Sequence, residues 1–273
     1  MQLNASQIDA YHENGYLILP SVFDEAEINS LLDAMNRDSK GSGPHRIIDD
    51  DSQEFAALYA SQQRMPEFSD LVRSARMLCV AQALLNDDVY LYQLKINVKS
   101  RFGRSRVSWH QDYVAWKIAD GLPDAKLVNV ALLLDDSTEF NGPLLFVPGS
   151  HTVGVLRGDR DDAASGERHL DPDDIALQFE HIGELISQRG MTSAQAPAGS
   201  LVLFSPQLVH SSAPNMSATP RRLLIATYNS CSNLPRTKTP RPNYLVNDDP
   251  TPLRPLADGL SETPEKMAIG SAR

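Results

Sequence analysis

The chain has 273 residues, a formal net charge of −10, 41% hydrophobic residues and 22% charged ones. That length suits one domain with an ample core. The acidic balance argues against nucleic acid, whose phosphates demand a basic surface, and no apolar run approaches membrane-spanning length. The start, Met1 to Gln7, lacks the basic region and apolar core of a secretion signal. Cys79 and Cys231 make neither a disulfide framework nor a zinc-like spacing. A reduced cytoplasm is the expected location.

The first helix is expected from near Ser6 to Gly15, followed by a strand at Tyr16–Leu19. Asp24 and Glu27 form a capping-box pattern that opens a second helix with Ile28, Leu31, Leu32 and Met35 on one face. A third helix is expected over Glu67 to Leu85. The texture then changes to strands. In Val89–Val98 the apolar set is Tyr90, Tyr92, Leu94, Ile96 and Val98, and the alternate face turns polar at Gln93, Lys95 and Asn97. On pattern alone that polar face reads as solvated.

Leu127–Leu134 is nearly all apolar and reads as a central strand. Asn141-Gly142 marks a turn before Pro143–Val147. Between His151 and Pro197 lies a polar insertion with the acidic runs Asp159–Asp162 and Asp171–Asp174 and a helix expected over Ile175 to Arg189. A connection this long reads either as an active-site lid or as a solvated decoration. Strands at Ser200–Phe204 and Arg222–Tyr228 complete the set, and the tail after Asn229 is rich in proline and polar residues.

The chemistry concentrates in Ser108-Trp109-His110-Gln111-Asp112-Tyr113. Residues two apart in an extended strand point to one side, so His110 and Asp112 can reach one metal. His210, just after the apolar run Leu201–Phe204, would complete a two-His-one-carboxylate facial triad. A bare His-x-Asp more often marks a strand end facing water. What favours the triad is Arg221, eleven residues beyond His210 across a turn-rich segment and at a strand mouth. Its planar fork can hold a carboxylate through two parallel hydrogen bonds, and alternation sends Arg222 to the opposite face. Trp116 could line a substrate pocket, whereas Trp109 reads equally as core. His12, His169 and His181 read as ordinary histidines, and His151 as a structural hydrogen-bonding one.

These residues, with Phe140–Leu144 and Val147–His151, make the chain resemble the phytanoyl-CoA dioxygenase family of Fe(II)/2-oxoglutarate oxygenases from about Gly15 to Tyr228. Within it the chain is most similar to short bacterial hydroxylases of free amino acids, of the leucine 5-hydroxylase and proline 4-hydroxylase type. Ectoine hydroxylase is a more distant likeness. The supporting stretches are Gly43–Arg46, Ala57–Ser61, Gln93–Asn97, Asp171–Asp174 and Arg241–Tyr244.

The resemblance implies a mainly β fold with flanking helices around a double-stranded β-helix (jelly-roll, cupin-like) core. The whole chain, 1–273, would be one domain: a helical buttress over about 1–88, a barrel over about 89–228 carrying a lid at about 152–198, and a tail at 229–273. It implies that His110, Asp112 and His210 bind iron, with no other catalytic side chain, and that Arg221 binds the distal carboxylate of 2-oxoglutarate. Gln93 and Lys95 would lie near that co-substrate, and His45 and Arg46 would contact a substrate carboxylate.

The expected reaction is hydroxylation of an unactivated C–H bond of a small free L-amino acid, leucine-like or proline-like, with O2 consumed, succinate and CO2 released and ascorbate helpful. Relatives that halogenate lack the carboxylate ligand, so Asp112 implies hydroxylation. The same chemistry on a carrier-bound amino acid, an acyl-CoA or an ectoine-like metabolite stays open, and the acidic surface counts mildly against CoA. A non-enzymatic metal- or metabolite-binding barrel would not need the arginine clamp. No obligate protein partner is expected.

Overall fold

Local signals place the N-terminal helices. In the computed structural model, which describes residues 1–49, 55–156, 172–237 and 240–256, Asn4 caps α1 (Ala5–Asn14) in a reciprocal capping box with Gln7. Gly15 then turns the chain at φ 79° into β1 (Tyr16–Leu19). The Asp24–Glu27 box opens α2 (Glu25–Asp38), and Ile28, Leu31 and Met35 are buried as expected. β2 (Arg46–Ile48) and β3 (Phe55–Tyr59) follow.

The expected third helix is two, α3 (Pro66–Arg73) and α4 (Ala75–Leu85). Between them Ser74 is extended (ψ 143°) and its carbonyl accepts from Met77 and Leu78. Apolar periodicity runs through both pieces, so it does not mark the break. Phe68, Leu71, Met77 and Leu78 are all fully buried, and the bend lets both pieces bury their apolar faces.

The strands that follow are β4 (Val89–Lys99), β5 (Val107–His110), β6 (Leu127–Leu133) and β7 (Leu144–Phe146), with α5 (Asp112–Ala119) after β5. In the insertion, the expected helix starts four residues late. A 3-10 turn covers Pro172–Ile175 and α6 covers Phe179–Arg189. Leu177 intervenes, its N–H committed to the Trp109 carbonyl at 2.8 Å. Asp159–Asp162, His169 and Asp171 lie outside the described residues, as does much of the candidate lid. β8 (Thr192–Ser193), β9 (Leu201–Phe204), β10 (His210–Ser212) and β11 (Arg221–Ser230) complete the strands.

They form a seven-stranded sheet, β1-β9-β6-β11-β4-β3-β2, and a four-stranded sheet, β5-β10-β7-β8. In β6, Val128, Val130 and Leu132 pack with α2, α3 and α4. Ala131 and Leu133 pack with Leu144 and Phe146 of the smaller sheet. Helices therefore cover one face of the large sheet and the small sheet closes the other, giving the double-stranded β-helix. No helix among the described residues is long and apolar enough to cross a membrane.

β4 departs from simple alternation. Thr227 pairs with Gln93 but Tyr228 pairs with Leu91, so Tyr92 is a bulged extra residue. Val89, Leu91, Leu94 and Ile96 join the helix-side core, while Tyr90 and Tyr92 join the core on the opposite, inward side. The single apolar face expected over Tyr90–Val98 is thus two faces joined at the bulge.

Gly199 anchors β9 to the N-terminal segment. At φ +82°, a Cβ there would lie 2.1 Å from the Phe23 carbonyl oxygen, and the Gly199 carbonyl accepts from both Val22 and Phe23. Gly199→Ala is expected to lower unfolding free energy by about 3 kcal/mol. Gly183→Ala, in α6 with open space at its Cβ, should raise it by about 0.5–1 kcal/mol. Urea titration of both variants checks the pair; equal effects would show that strain at Gly199 is absent.

Candidate active site

His110 and His210, one hundred residues apart in sequence, are paired residues on β5 and β10, with ring centroids 4.2 Å apart. His110 donates through Nδ1 to the Ser108 carbonyl at 2.7 Å, and His210 through Nδ1 to Leu208 at 2.9 Å. A carbonyl can only accept, so each ring keeps its lone pair on Nε2. Both Nε2 atoms face Asp112, at 3.4 Å from Oδ1 and 3.6 Å from Oδ2. One ligand atom from each residue lies within 4.8 Å of the others. These separations approach the roughly 3 Å edge of an octahedron built on about 2.1 Å ligand bonds. The donor set, two imidazoles and one carboxylate, fits a single iron ion.

The two-residue spacing works, but not within one strand. β5 stops at His110, Gln111 stays extended and Asp112 is the first residue of α5, where the helix N-terminus favours its negative charge. Burial opposes that charge, yet His210, Lys95 and His110 outweigh it and hold the carboxyl well below the ordinary range. Burial and the neighbouring His110 push His210 down to about 4. An anionic aspartate and a neutral histidine are the forms that bind metal.

The supporting residues escaped the sequence reading. Asn129 donates to Asp112 Oδ2 at 2.8 Å and accepts from Thr227 at 2.7 Å. A lone polar residue in an otherwise apolar, wholly buried strand was its signal. Gln111, fully buried, donates to the carbonyls of Gly154 and Gln207 and accepts from the Leu156 N–H. It ties the root of the insertion to the backbone between two metal-facing residues.

A cavity of about 450 Å³, its open mouth included, lies against this cluster. Its lining includes His110, Asp112, Gln93, Lys95, Trp116 and Arg241. Gln93 donates to the Leu245 carbonyl at 2.7 Å, and Trp116 packs edge-on against Tyr92 with centroids 5.5 Å apart. The polar face of β4 is therefore the inward face, because the alternating Leu94 and Ile96 pack against the helices, and the bulge at Tyr92 brings Tyr90 and Tyr92 to that same inward side. His45 and Arg46 do not line the cavity. They sit at the sheet edge, where the His45 carbonyl accepts from Tyr59 and Arg46 lies 5.9 Å from the Phe55 ring centroid. His151 bonds the His12 carbonyl at 3.0 Å, the structural role expected of it.

Arg221 points inward and is 3% exposed, whereas Arg222 pairs with Asp135 on the other face. Arg221 donates to the Gly142 carbonyl at 2.7 and 3.1 Å and to Ser212 Oγ at 3.0 Å. Lys99, its partner across the β4–β11 ladder, is also buried and donates to the carbonyls of Ser105 and Ala213 at 2.7 and 2.6 Å. Burial, then Arg221, pushes Lys99 down to about 7, and burial takes Arg221 down to about 10. No described carboxylate forms an ion pair with either cation. Neutral acceptors alone leave such a buried basic pair short of negative charge.

The phytanoyl-CoA dioxygenase family profile matches residues 11–223. L-proline trans-4-hydroxylase of Streptomyces griseoviridis is 33% identical over 95% of this chain and 100% of its own length. Ectoine dioxygenase of Bordetella bronchiseptica is 31% identical over 91% of this chain and 81% of its own. The crystal structure of EctD from S. alaskensis with 2-oxoglutarate and 5-hydroxyectoine superposes with a TM-score of 0.82 at 27% identity, covering 95% of this chain and 89% of that one. The same protein with bound Fe gives 0.81. A buried His-Asp-His cluster inside this barrel, with the buried Arg221 held on Ser212 two residues from His210, agrees with that likeness: the chain belongs to the phytanoyl-CoA dioxygenase family and is an iron- and 2-oxoglutarate-dependent dioxygenase.

Proposed function

We propose that this enzyme hydroxylates an unactivated C–H bond of a small free L-amino acid, leucine-like or proline-like, in the cytoplasm. The observation that carries the reading is the small cavity against the metal-facing cluster, with cationic Lys95 and Arg241 and the Trp116 indole in its lining. The full-length likeness to a proline hydroxylase supports it. Iron with 2-oxoglutarate and O2 supplies the oxidising power that turns C–H into C–OH, releasing succinate and CO2.

The chain's own residues bind and orient. His110, Asp112 and His210 hold the iron, and Asn129 fixes the Asp112 carboxylate. Arg221 clamps the distal carboxylate of 2-oxoglutarate, and Gln93 and Lys95 face the co-substrate. Trp116 packs beside the substrate, and position selectivity follows from which carbon is held nearest the metal. The 152–198 insertion acts as a lid, a role supported by Pro172 and Ile175 in the cavity lining.

Mass spectrometry of a panel of free L-amino acids with Fe(II), 2-oxoglutarate, ascorbate and air tests the reading, with Asp112→Ala as control. One panel member should gain one oxygen, and the control should give none. The likeness to ectoine dioxygenases favours ectoine as a second candidate, so it belongs in the panel. Hydroxylation of ectoine alone would replace the amino-acid reading, and no product at all would remove both.

A further inference from the structure

One aromatic ring is set beside the metal-facing cluster by the same helix that supplies the carboxylate. Trp116 lies four residues after Asp112 on α5, so the two share one face of the helix, with Cβ atoms about 5–6 Å apart. Helical side chains lean back toward the N-terminus, over the turn that precedes them. The indole therefore leans over the turn that Asp112 opens, and it forms cavity wall together with His110 and Asp112.

The ring is fixed there. Trp116 is 4% exposed and belongs to the inward core with Tyr92, Tyr113 and Leu122. Tyr92 meets it edge-on, and the Trp116 carbonyl accepts from the Asp120 N–H at 3.0 Å. Among the described residues, the other aromatic side chain in the lining is Tyr59. It comes from β3, a strand that carries none of the three metal-facing residues.

Iron with 2-oxoglutarate and O2 supplies oxidising power sufficient for an unactivated C–H bond. With a substrate in the cavity, that bond is the one held in reach. With the cavity empty, the indole takes its place. Indole has the most electron-rich face of the aromatic side chains, and the neighbouring Ala115, Gln93 and Lys95 carry no ring.

We propose that Trp116 is a self-modification site, hydroxylated on its indole ring when the enzyme consumes 2-oxoglutarate without a substrate. One oxygen atom of O2 enters succinate as 2-oxoglutarate loses CO2, a step that supplies two electrons. The other oxygen goes to the ring. There a C–H bond breaks, a C–O bond forms, the hydrogen ends on the new hydroxyl, and the ring supplies the remaining two electrons. The inference goes beyond the substrate reading, since it rests on the dioxygenase chemistry alone.

The chain carries its own comparison, because it has two tryptophans. Trp109 is partly exposed and packs against Val147 and Leu177, outside the cavity lining. Met216, at 72% exposed, reports oxidants that arrive through solution. The wild-type protein is incubated with Fe(II), 2-oxoglutarate, ascorbate and O2 enriched in the heavy isotope, with no amino acid present. It is then digested and mapped residue by residue by mass spectrometry, and succinate is measured alongside.

Trp116 should gain one heavy oxygen, in excess over Trp109 on the order of 100-fold, as expected of a group held against the reacting centre. The gain should vanish without 2-oxoglutarate and in Asp112→Ala. Heavy oxygen on Trp109 and Met216 at the level of Trp116, or on Tyr59 with Trp116 unmodified, would overturn the proposal. So would succinate release with no residue labelled, which leaves the dioxygenase chemistry standing. Absence of both succinate and label would overturn it as well, because the enzyme would then not turn over without a substrate.

Discussion

Replacing Asp112 with alanine is expected to leave a folded protein that retains little iron and forms no hydroxylated product. Three groups supply the ligand atoms, and Asp112 is the only anion among them. Loss of an outer-shell partner alone typically costs about 10–100-fold in metal affinity or activity. Asn129→Leu, which removes the amide holding Asp112 Oδ2, should fall in that range, and Asp112→Ala should exceed it. Iron content after dialysis and succinate release separate the two variants. Full iron occupancy and turnover in Asp112→Ala would mean that the cluster is not the metal site.

Arg221→Gln should separate co-substrate binding from chemistry. The guanidinium makes charge-assisted hydrogen bonds of about 1.5–3 kcal/mol to a carboxylate, which corresponds to about 10–100-fold in the KM for 2-oxoglutarate. At saturating co-substrate, kcat should change little. Stability should move the other way. In the folded protein Arg221 is a fully buried charge whose hydrogen bonds all go to neutral acceptors, and removal of such a charge is often neutral or stabilising. The variant without ligands should therefore melt at or above the wild-type temperature, and 2-oxoglutarate should no longer raise it. A variant that binds 2-oxoglutarate normally would place the distal carboxylate elsewhere.

The two histidines and the aspartate were legible because few residue types ligate iron and the flanking segments read as strands. What brings the histidines together, the pairing of His110 with His210, belongs to a register that no local pattern encodes. The capping box at Asp24 and Glu27 was legible for the opposite reason, since cause and effect lie three residues apart. Gln93 and Lys95 show how local reading misleads. Their alternation with apolar neighbours reads as a wet surface, but Leu94 and Ile96 pack on the helices and leave Gln93 and Lys95 facing the cavity, a choice of side that the strand pattern does not encode. Ser74 breaks a helix whose periodicity continues through it. Arg241 stood in a stretch that carried the family likeness, but its buried ion pair with Asp120, 121 residues away, was not readable locally.

Lys99 has a further consequence, for proton traffic. Its ammonium, buried beside Arg221, titrates near pH 7 rather than at the ordinary 10.5. Between those values the unfolded chain holds more protons than the folded one, so this residue's penalty on the fold shrinks as pH rises through that window. Arrival of a dicarboxylate beside it favours the charged form. Below pH 7 the proton is already in place and affinity is level. If 2-oxoglutarate binds at Arg221, as proposed, its binding above about pH 7 should bring a proton to Lys99. Its affinity should then fall as pH rises, which a binding titration across that range checks.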